Sequence, residues 1–189
     1  MSRSLLRGAN AHFYTPSLAI GASDRGPTLN DMRHKLSVAG VVELPLGVQA
    51  STIIVANSAP PYRIVAGLDI DGDGTTIEDR PAGLALNQGG RRSEANLAII
   101  NDFRRSRGLS TVTLDQLAKR YHYVNVDLRL TKVLRLRGTS SVEFMAEVFN
   151  LFDRTNFNSP NGTLTSATFL QVASTADGRE AQFGLRFRF

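Results

Sequence analysis

The sequence contains no cysteine, so it can build neither a disulfide framework nor a thiolate zinc site, and thiol redox chemistry is closed to it. No apolar run approaches the ~18 to 20 residues that a membrane-spanning helix requires. A helical membrane protein is thereby excluded. Histidine is scarce, and His12, His34 and His122 are too scattered in sequence to suggest a ligand set. His34 lies beside a strand start, where a surface or interface position is expected. There is no His-Glu-x-x-His pair, no Gly-x-Ser-x-Gly elbow and no glycine-rich phosphate loop with lysine, so no catalysis is expected. The opening MSRSLLRGANAHFYTPS carries Arg3 and Arg7 as a leader would, but polar residues interrupt the apolar core that should follow them. No export signal is legible there.

What remains is a chain of 189 residues, 42% apolar and 21% charged, which excludes collagen-like, coiled-coil and disordered classes. Its net charge of +5 is spread too thinly to indicate nucleic acid, and no such partner is expected.

The strongest pattern is alternation. In REAQFGLRFRF, Ala181, Phe183, Leu185, Phe187 and Phe189 share one parity, and Glu180, Gln182, Arg186 and Arg188 the other. A helix would scatter those apolar residues around its circumference, so the segment reads as a strand. Tyr123 to Arg137 repeats the pattern, with Val124, Val126, Leu128, Leu130, Leu134 and Leu136 against Asn125, Asp127, Arg129, Thr131, Arg135 and Arg137. Lys132 alone breaks it, by falling on the apolar parity unless a β-bulge removes it. Val142 to Val148 and Lys35 to Leu44 alternate as well. Ser51 to Val55 is a weaker strand, because Ile53, Ile54 and Val55 run together.

Pro45-Leu46-Gly47 and the neighbourhood of Gly138-Thr139-Ser140 suit hairpin turns. The connections Asn57 to Arg120 and Asp153 to Gly178 far exceed the ~12 to 15 residues usual inside a soluble domain. Tight turns at one end and long loops at the other are the rhythm of an outer-membrane β-barrel, whose strands alternate because one side meets hydrocarbon and the other a polar lumen. Tyr121 and Tyr123 fall at the expected outer end, where interfacial aromatics are favoured. On the lumen side, Glu143 and Glu147 are expected to neutralise basic neighbours, with Arg129 and Arg186 within reach. The alternative is a soluble extracellular β-sandwich binding module, stabilised by calcium, in which the same alternation would separate core from water.

Several stretches carry a family likeness: DMRHKLSVAGVVELPLG, DIDGDGTTIEDRP, YVNVDLRLTKVLRL, FMAEVFNLFDRTNF with NGTLTSATF, and REAQFGLRFRF. Taken in order, they resemble the C-terminal part of TonB-dependent outer-membrane receptors with an Oar-like β-barrel. The resemblance implies an all-β fold: a partial antiparallel transmembrane barrel of about five strands, a curved open sheet with long extracellular loops containing short helices. It places a barrel segment at 31–189, preceded by a loop remnant or poorly ordered segment at 1–30. It implies a Gram-negative outer-membrane location and a parent protein that binds and imports a scarce solute. The implied partners are outer-membrane lipid, the barrel-assembly machinery and the remaining barrel and plug. TonB would be reached only through N-terminal parts outside this sequence. Receptors of this kind have 22 strands, so the chain is expected to be a fragment. The resemblance also assigns an assembly signal to Phe183, Leu185, Phe187 and Phe189.

The Asp-x-Asp-x-Asp-Gly run at Asp69, Asp71, Asp73 and Gly74 matches the opening of a calcium loop, in which alternate carboxylates converge on a hard cation. Arg80 occupies the twelfth position, where an EF-hand needs a bidentate Glu; Glu78 or Asp79 could replace it. A solvent-exposed turn that uses Asp and Gly for their backbone preferences accounts for the run; the competing reading is a metal set of Asp69, Asp71, Asp73 and Asp79 holding calcium. Ser93 to Arg107 reads as a short helix capped by Ser93, with Ala95, Ile99 and Phe103 on one face and Arg104, Arg105 and Arg107 in a basic last turn. Thr113 with Gln116 is expected to open a second helical turn.

Overall fold

The computed structural model describes residues 25–189, so most of the expected N-terminal segment 1–30 lies outside the described residues. The elements are β1 (Lys35–Leu44), a 3-10 turn (Pro45–Gly47), β2 (Val48–Asn57), α1 (Glu94–Ser106), α2 (Leu114–Ala118), β3 (Tyr123–Arg135), β4 (Ser141–Phe149) and β5 (Glu180–Arg188). The five strands form one antiparallel sheet in chain order, as expected, and among the described residues there is no second sheet to make a sandwich. Two compact units divide the chain. One holds the sheet (33–58, 121–158 and 174–189); the other consists of 59–120 and 159–173 with the segment that ends at Met32.

In the sheet unit the register is unbroken across all four strand pairs, and it fixes which side chains share a face. Val38 stands opposite Ile54, Ile54 opposite Val126, Leu128 opposite Val148, and Ala146 opposite Phe183. β2 is longer than its sequence suggests. The run Ile53-Ile54-Val55 hides the alternation, and pairing resolves it: Ile54 joins the apolar face, while Ile53 stands beside Asp127 and Val55 beside Asn125 on the other. Lys132 is paired with Val48 on one side and Phe144 on the other. No bulge removes it, so the lysine belongs to the apolar face.

The hairpin turns are tight because both have residues in the left-handed region. Leu46 and Gly47 take φ values of 65° and 66°, and Gly138 takes 74°. Leu46 is the unusual one, since a Cβ disfavours that conformation. It is 87% exposed.

β4 stops before β3 does, which leaves the far end of β3 without strand partners on that side. The chain after β4 supplies replacements. The Leu151 amide donates to the Val126 carbonyl at 2.8 Å, and buried Asn156 accepts from the Val124 amide and donates to its carbonyl, both at 2.9 Å. Asp127 accepts from the Asn150 amide at 2.9 Å, and Asn150, at φ 48°, turns the chain out of β4. Replacing Asn156 by Ala orphans two backbone groups. We expect a loss of about 2 kcal/mol, within the usual cost of stranded polar groups, readable as a lower urea midpoint for the protein in detergent. An unchanged midpoint would show that water replaces the amide without penalty.

The loop unit has a core of its own, built from Tyr62, Ile64, Leu84, Ile100, Leu117, Leu164 and Phe169, with Leu97, Ile99, Phe103, Val112 and Leu170 packed against them. The segment after β2 reaches this core by short pairings: Tyr62 with Gly89, and Val65 in parallel with Thr163. A Cβ on Gly162 would lie 1.8 Å from the Arg63 carbonyl oxygen, so only glycine permits that approach. α1 is capped by Ser93, whose hydroxyl accepts from the Asn96 amide, and α2 opens with the Thr113–Gln116 capping box.

One helix expectation is corrected. The fully buried residues of α1 are Ile100, Asn101 and Arg104; of the expected face, Ile99 and Phe103 pack against the core, and Ala95 is exposed. Asn101 rotates the helix inward by clamping the chain between the two helices: it donates to the Val112 carbonyl and accepts from its amide, each at 2.9 Å. Arg104 follows it inward. Its guanidinium donates to the carbonyls of Ser110 and Leu164 and lies 5.0 Å over the Phe169 ring.

Candidate functional site

The sheet presents two chemically distinct surfaces. On one side stand Leu36, Val38, Val42 and Leu44 of β1, the β2 and β3 aliphatics, Val142, Phe144 and Val148 of β4, and Phe183, Leu185 and Phe187 of β5. The large side chains of this face remain exposed: Val38 is 46% accessible, Phe144 45% and Phe187 64%. Water does not tolerate so wide an apolar patch on a soluble monomer, whereas acyl chains satisfy it.

The opposite surface carries charge. Arg129 lies 3.5 Å from Glu147, and Arg186 and Arg188 lie 3.3 and 3.6 Å from Glu143. Gln182 donates to Glu147 and Gln49 to Glu43. The neutralisation expected from the sequence is present, with Arg188 as an additional partner that sequence reasoning missed. Exposed pairs of this kind contribute only ~0 to 1 kcal/mol each. Their value here is that they set opposite charges side by side along the polar side of the sheet.

The backbone explains why the alternation is so strict. Hydrocarbon offers no hydrogen-bonding partner, so each strand must be paired, and Leu151 and Asn156 continue the pairing of β3 where β4 ends. Among the described strands, the outer edges of β1 and β5 have no strand neighbour.

The residues assigned to the assembly signal come together on one face. Phe183, Leu185 and Phe187 stand opposite Ala146, Phe144 and Val142, and Phe189 follows on the same parity. Phe183 is 86% exposed and Phe189 fully exposed, so both project from the sheet. Of the two tyrosines, Tyr121 packs against Phe157 with ring centroids 5.2 Å apart and the planes tilted by 58°. Tyr123 belongs by register to the polar face, opposite Asn57.

The acidic loop is the second candidate. Carboxylate oxygens of Asp69, Asp71 and Asp79 lie within 4.8 Å of one another. Asp73, the fourth expected member, is not in that group. Its Oδ1 accepts from the amide and hydroxyl of Thr75 at 2.7 and 2.9 Å, which turns it toward its own backbone. Asp69 accepts from the amides of Gly72 and Gly74, and Asp71 from that of Asp73. Asp79 Oδ2 is buried and has no hydrogen-bond partner among the described residues. Burial raises the Asp79 carboxyl above its ordinary value. Repulsion from Asp71, Asp69 and Asp73 adds to the rise, and a hydrogen bond from the Ile70 backbone opposes it.

A carboxyl whose folded pKa is raised favours the folded loop below its unfolded pKa, and that contribution is lost as pH rises through the folded value. The loop is therefore expected to be tighter in mild acid than at neutral pH in calcium-free buffer. Asp79→Asn should abolish that dependence and protect the amides of residues 66 to 79 from hydrogen exchange at neutral pH. Equal exchange in both proteins at every pH would disprove a strained Asp79.

The three arginines at the C-terminal end of α1 have different surroundings. Arg104 is buried, and burial lowers its pKa from the usual arginine range. Arg105 pairs with Asp102, and Arg107 lies 5.4 Å over the Phe103 ring. His34 is exposed beside β1, its amide donating to Ser58 Oγ at 3.1 Å, which agrees with a surface position.

No curated protein and no solved structure matches this chain. Residues 2–182 do match a family, that of the outer membrane beta barrel domain, and the match takes in the two hairpins, the long connections and the start of β5. One sheet, an apolar face and a balanced polar face, two short turns and two long connections are what such a domain requires, and the chain belongs to the outer membrane beta barrel domain family.

Proposed function

We propose that this outer-membrane β-barrel chain is the C-terminal wall of a TonB-dependent receptor that binds and imports a scarce solute. The observation that carries the reading is the single five-stranded sheet, in which tight turns join β1 to β2 and β3 to β4 while long connections join β2 to β3 and β4 to β5. In barrels of this architecture the tight turns lie in the periplasm and the long connections outside. The β1 and β5 edges then pair with further strands of the same barrel, and a plug occupies the lumen beside Arg129, Glu147 and Glu143. Phe183, Leu185, Phe187 and Phe189 serve the assembly machinery. The role is non-enzymatic.

The test is genetic. Deleting this gene should impair growth when one scarce nutrient limits it, and deleting TonB should impair it equally, with no additional loss when both are absent. A further loss in the double deletion would remove TonB from the reading while leaving the barrel untouched.

A second reading concerns the loop unit, where Asp69, Asp71 and Asp79 hold calcium and Asp79 Oδ2, buried without a hydrogen-bond partner among the described residues, is the observation that favours it. Calcium added to the membrane-bound protein should slow hydrogen exchange between residues 66 and 79 in the wild type and leave Asp79→Asn unaffected. Identical slowing in the variant would exclude Asp79 as a ligand.

A further inference from the structure

Lys132 is the one charged residue on the apolar face of the five strands. Its register neighbours are Val48 and Phe144, with Leu130 and Leu134 two residues away along β3. A charge in this position needs a counter-charge or water, because an ammonium left in hydrocarbon is costly.

No carboxylate among the described residues pairs with it. The nearby acids are committed to the other face: Glu43 accepts from Gln49, and Glu143 binds Arg186 and Arg188. The side chain reaches instead to the end of the sheet. Lys132 Nζ lies 3.6 Å from where a Cβ on Gly47 would stand, beside the β1–β2 turn. A lysine stem can lie along apolar surface while its head emerges at the polar boundary. That head carries three N–H donors and no acceptor, which suits an anion.

We propose that Lys132 and the β1–β2 turn form a binding site for the phosphate of a membrane phospholipid, in the leaflet that meets the tight-turn end of the sheet. The lipid's acyl chains would lie along the apolar face around Val48 and Phe144. The site rests on the sheet being embedded in a bilayer, which follows from the family. Gly47 contributes by having no side chain, which leaves space beside the ammonium. Free phosphate shares the headgroup chemistry but has no acyl chains to bury, so the lipid is the occupant for which both halves of the site are built.

The test uses the full chain in its native barrel, reconstituted in vesicles of phosphatidylethanolamine and phosphatidylglycerol. The chain is released gently and analysed by native mass spectrometry for bound lipid. A basic residue near a membrane surface favours anionic lipid by an amount equivalent to about fivefold. We expect Lys132→Ala to retain about fivefold less phosphatidylglycerol than the wild type, and Lys132→Arg to retain as much. Diacylglycerol, which lacks the phosphate, should not substitute, and inorganic phosphate in the buffer should not displace the lipid. Equal retention in Lys132→Ala would overturn the site, as would equal binding of diacylglycerol. Displacement by inorganic phosphate would overturn the lipid as occupant. If the wild type itself were washed from the vesicles by urea, the membrane placement would fail before the lysine is tested.

Discussion

Leu128→Arg is expected to cost about 2 to 4 kcal/mol and to deplete the chain from urea-washed outer membranes, whereas Thr131→Arg, three residues further along the same strand, should leave both nearly unchanged. Leu128 sits near the middle of β3 and pairs with Thr52 and Val148 on the apolar face. Thr131 pairs with Gln49 and Met145 on the polar face. The two substitutions introduce the same side chain into the same strand. Chain length, net charge and the residue introduced are therefore matched, and the chief difference is the medium the arginine meets. An arginine at position 128 must be buried in hydrocarbon or pull water into it, while at position 131 it joins a surface that already carries Arg129, Glu147 and Gln49. Membrane content by immunoblot and urea unfolding in lipid give the two readouts. Equal damage from both would mean that the apolar face does not look at lipid, and would revive a packed protein interior on both sides of the sheet.

The sheet was legible because its information is local. Alternation with a period of two is written into consecutive residues, and β1, β3, β4 and β5 each display it within a single strand. β2 shows where that signal fails. Ile53, Ile54 and Val55 give no parity by themselves, and only Asp127 and Asn125 on the neighbouring strand show that Ile53 and Val55 point away from the lipid side. Lys132 was readable as an exception but not as a position, since a bulge and a snorkelling side chain leave the same trace in the sequence. Pairing on both sides decides between them.

The polar motifs failed for a different reason. Asn150 and Asn156 look like solvated loop residues, yet both are almost completely buried: Asn156 replaces strand pairing at Val124 of β3, and Asn150 ties down the chain after β4 through the Arg154 amide and the carbonyls of Arg154 and Asp177. A polar residue that mimics the backbone has the same composition as one that faces water. Asp73 misled in the same way. Its place in the Asp-x-Asp-x-Asp-Gly run suggests a ligand, but Thr75 is closer to hand, and the Asp–Thr turn outcompetes convergence. The expected carboxylate set shrinks to Asp69, Asp71 and Asp79. The long connections were the least legible of all, because their apolar residues have no period: Ile64, Leu84, Leu164 and Phe169 are separated by glycine, asparagine and aspartate and meet only in three dimensions.

That hidden core makes the second large prediction. Ile100→Ala should destabilise the loop unit by about 2 to 5 kcal/mol, the range for truncating a fully buried aliphatic side chain in a close-packed core. Ile100 has no accessible surface, and it shares the core with Leu84, Leu117 and Leu164, so the cavity has rigid walls and cannot easily collapse. Ala98, two residues earlier on α1, is exposed, and Ala98→Ser should leave the unit intact. Limited proteolysis of cells or membranes bearing the protein separates the outcomes. If the connections are a folded unit, Ile100→Ala should open cleavage sites between residues 59 and 120, while β1 to β5 stay protected by lipid and by each other. If they are merely long solvated loops, wild type and variant will be cut there at the same rate. The distinction bears on ligand capture, because a preorganised surface binds without first having to order itself, and a flexible one loses that ordering entropy from its affinity.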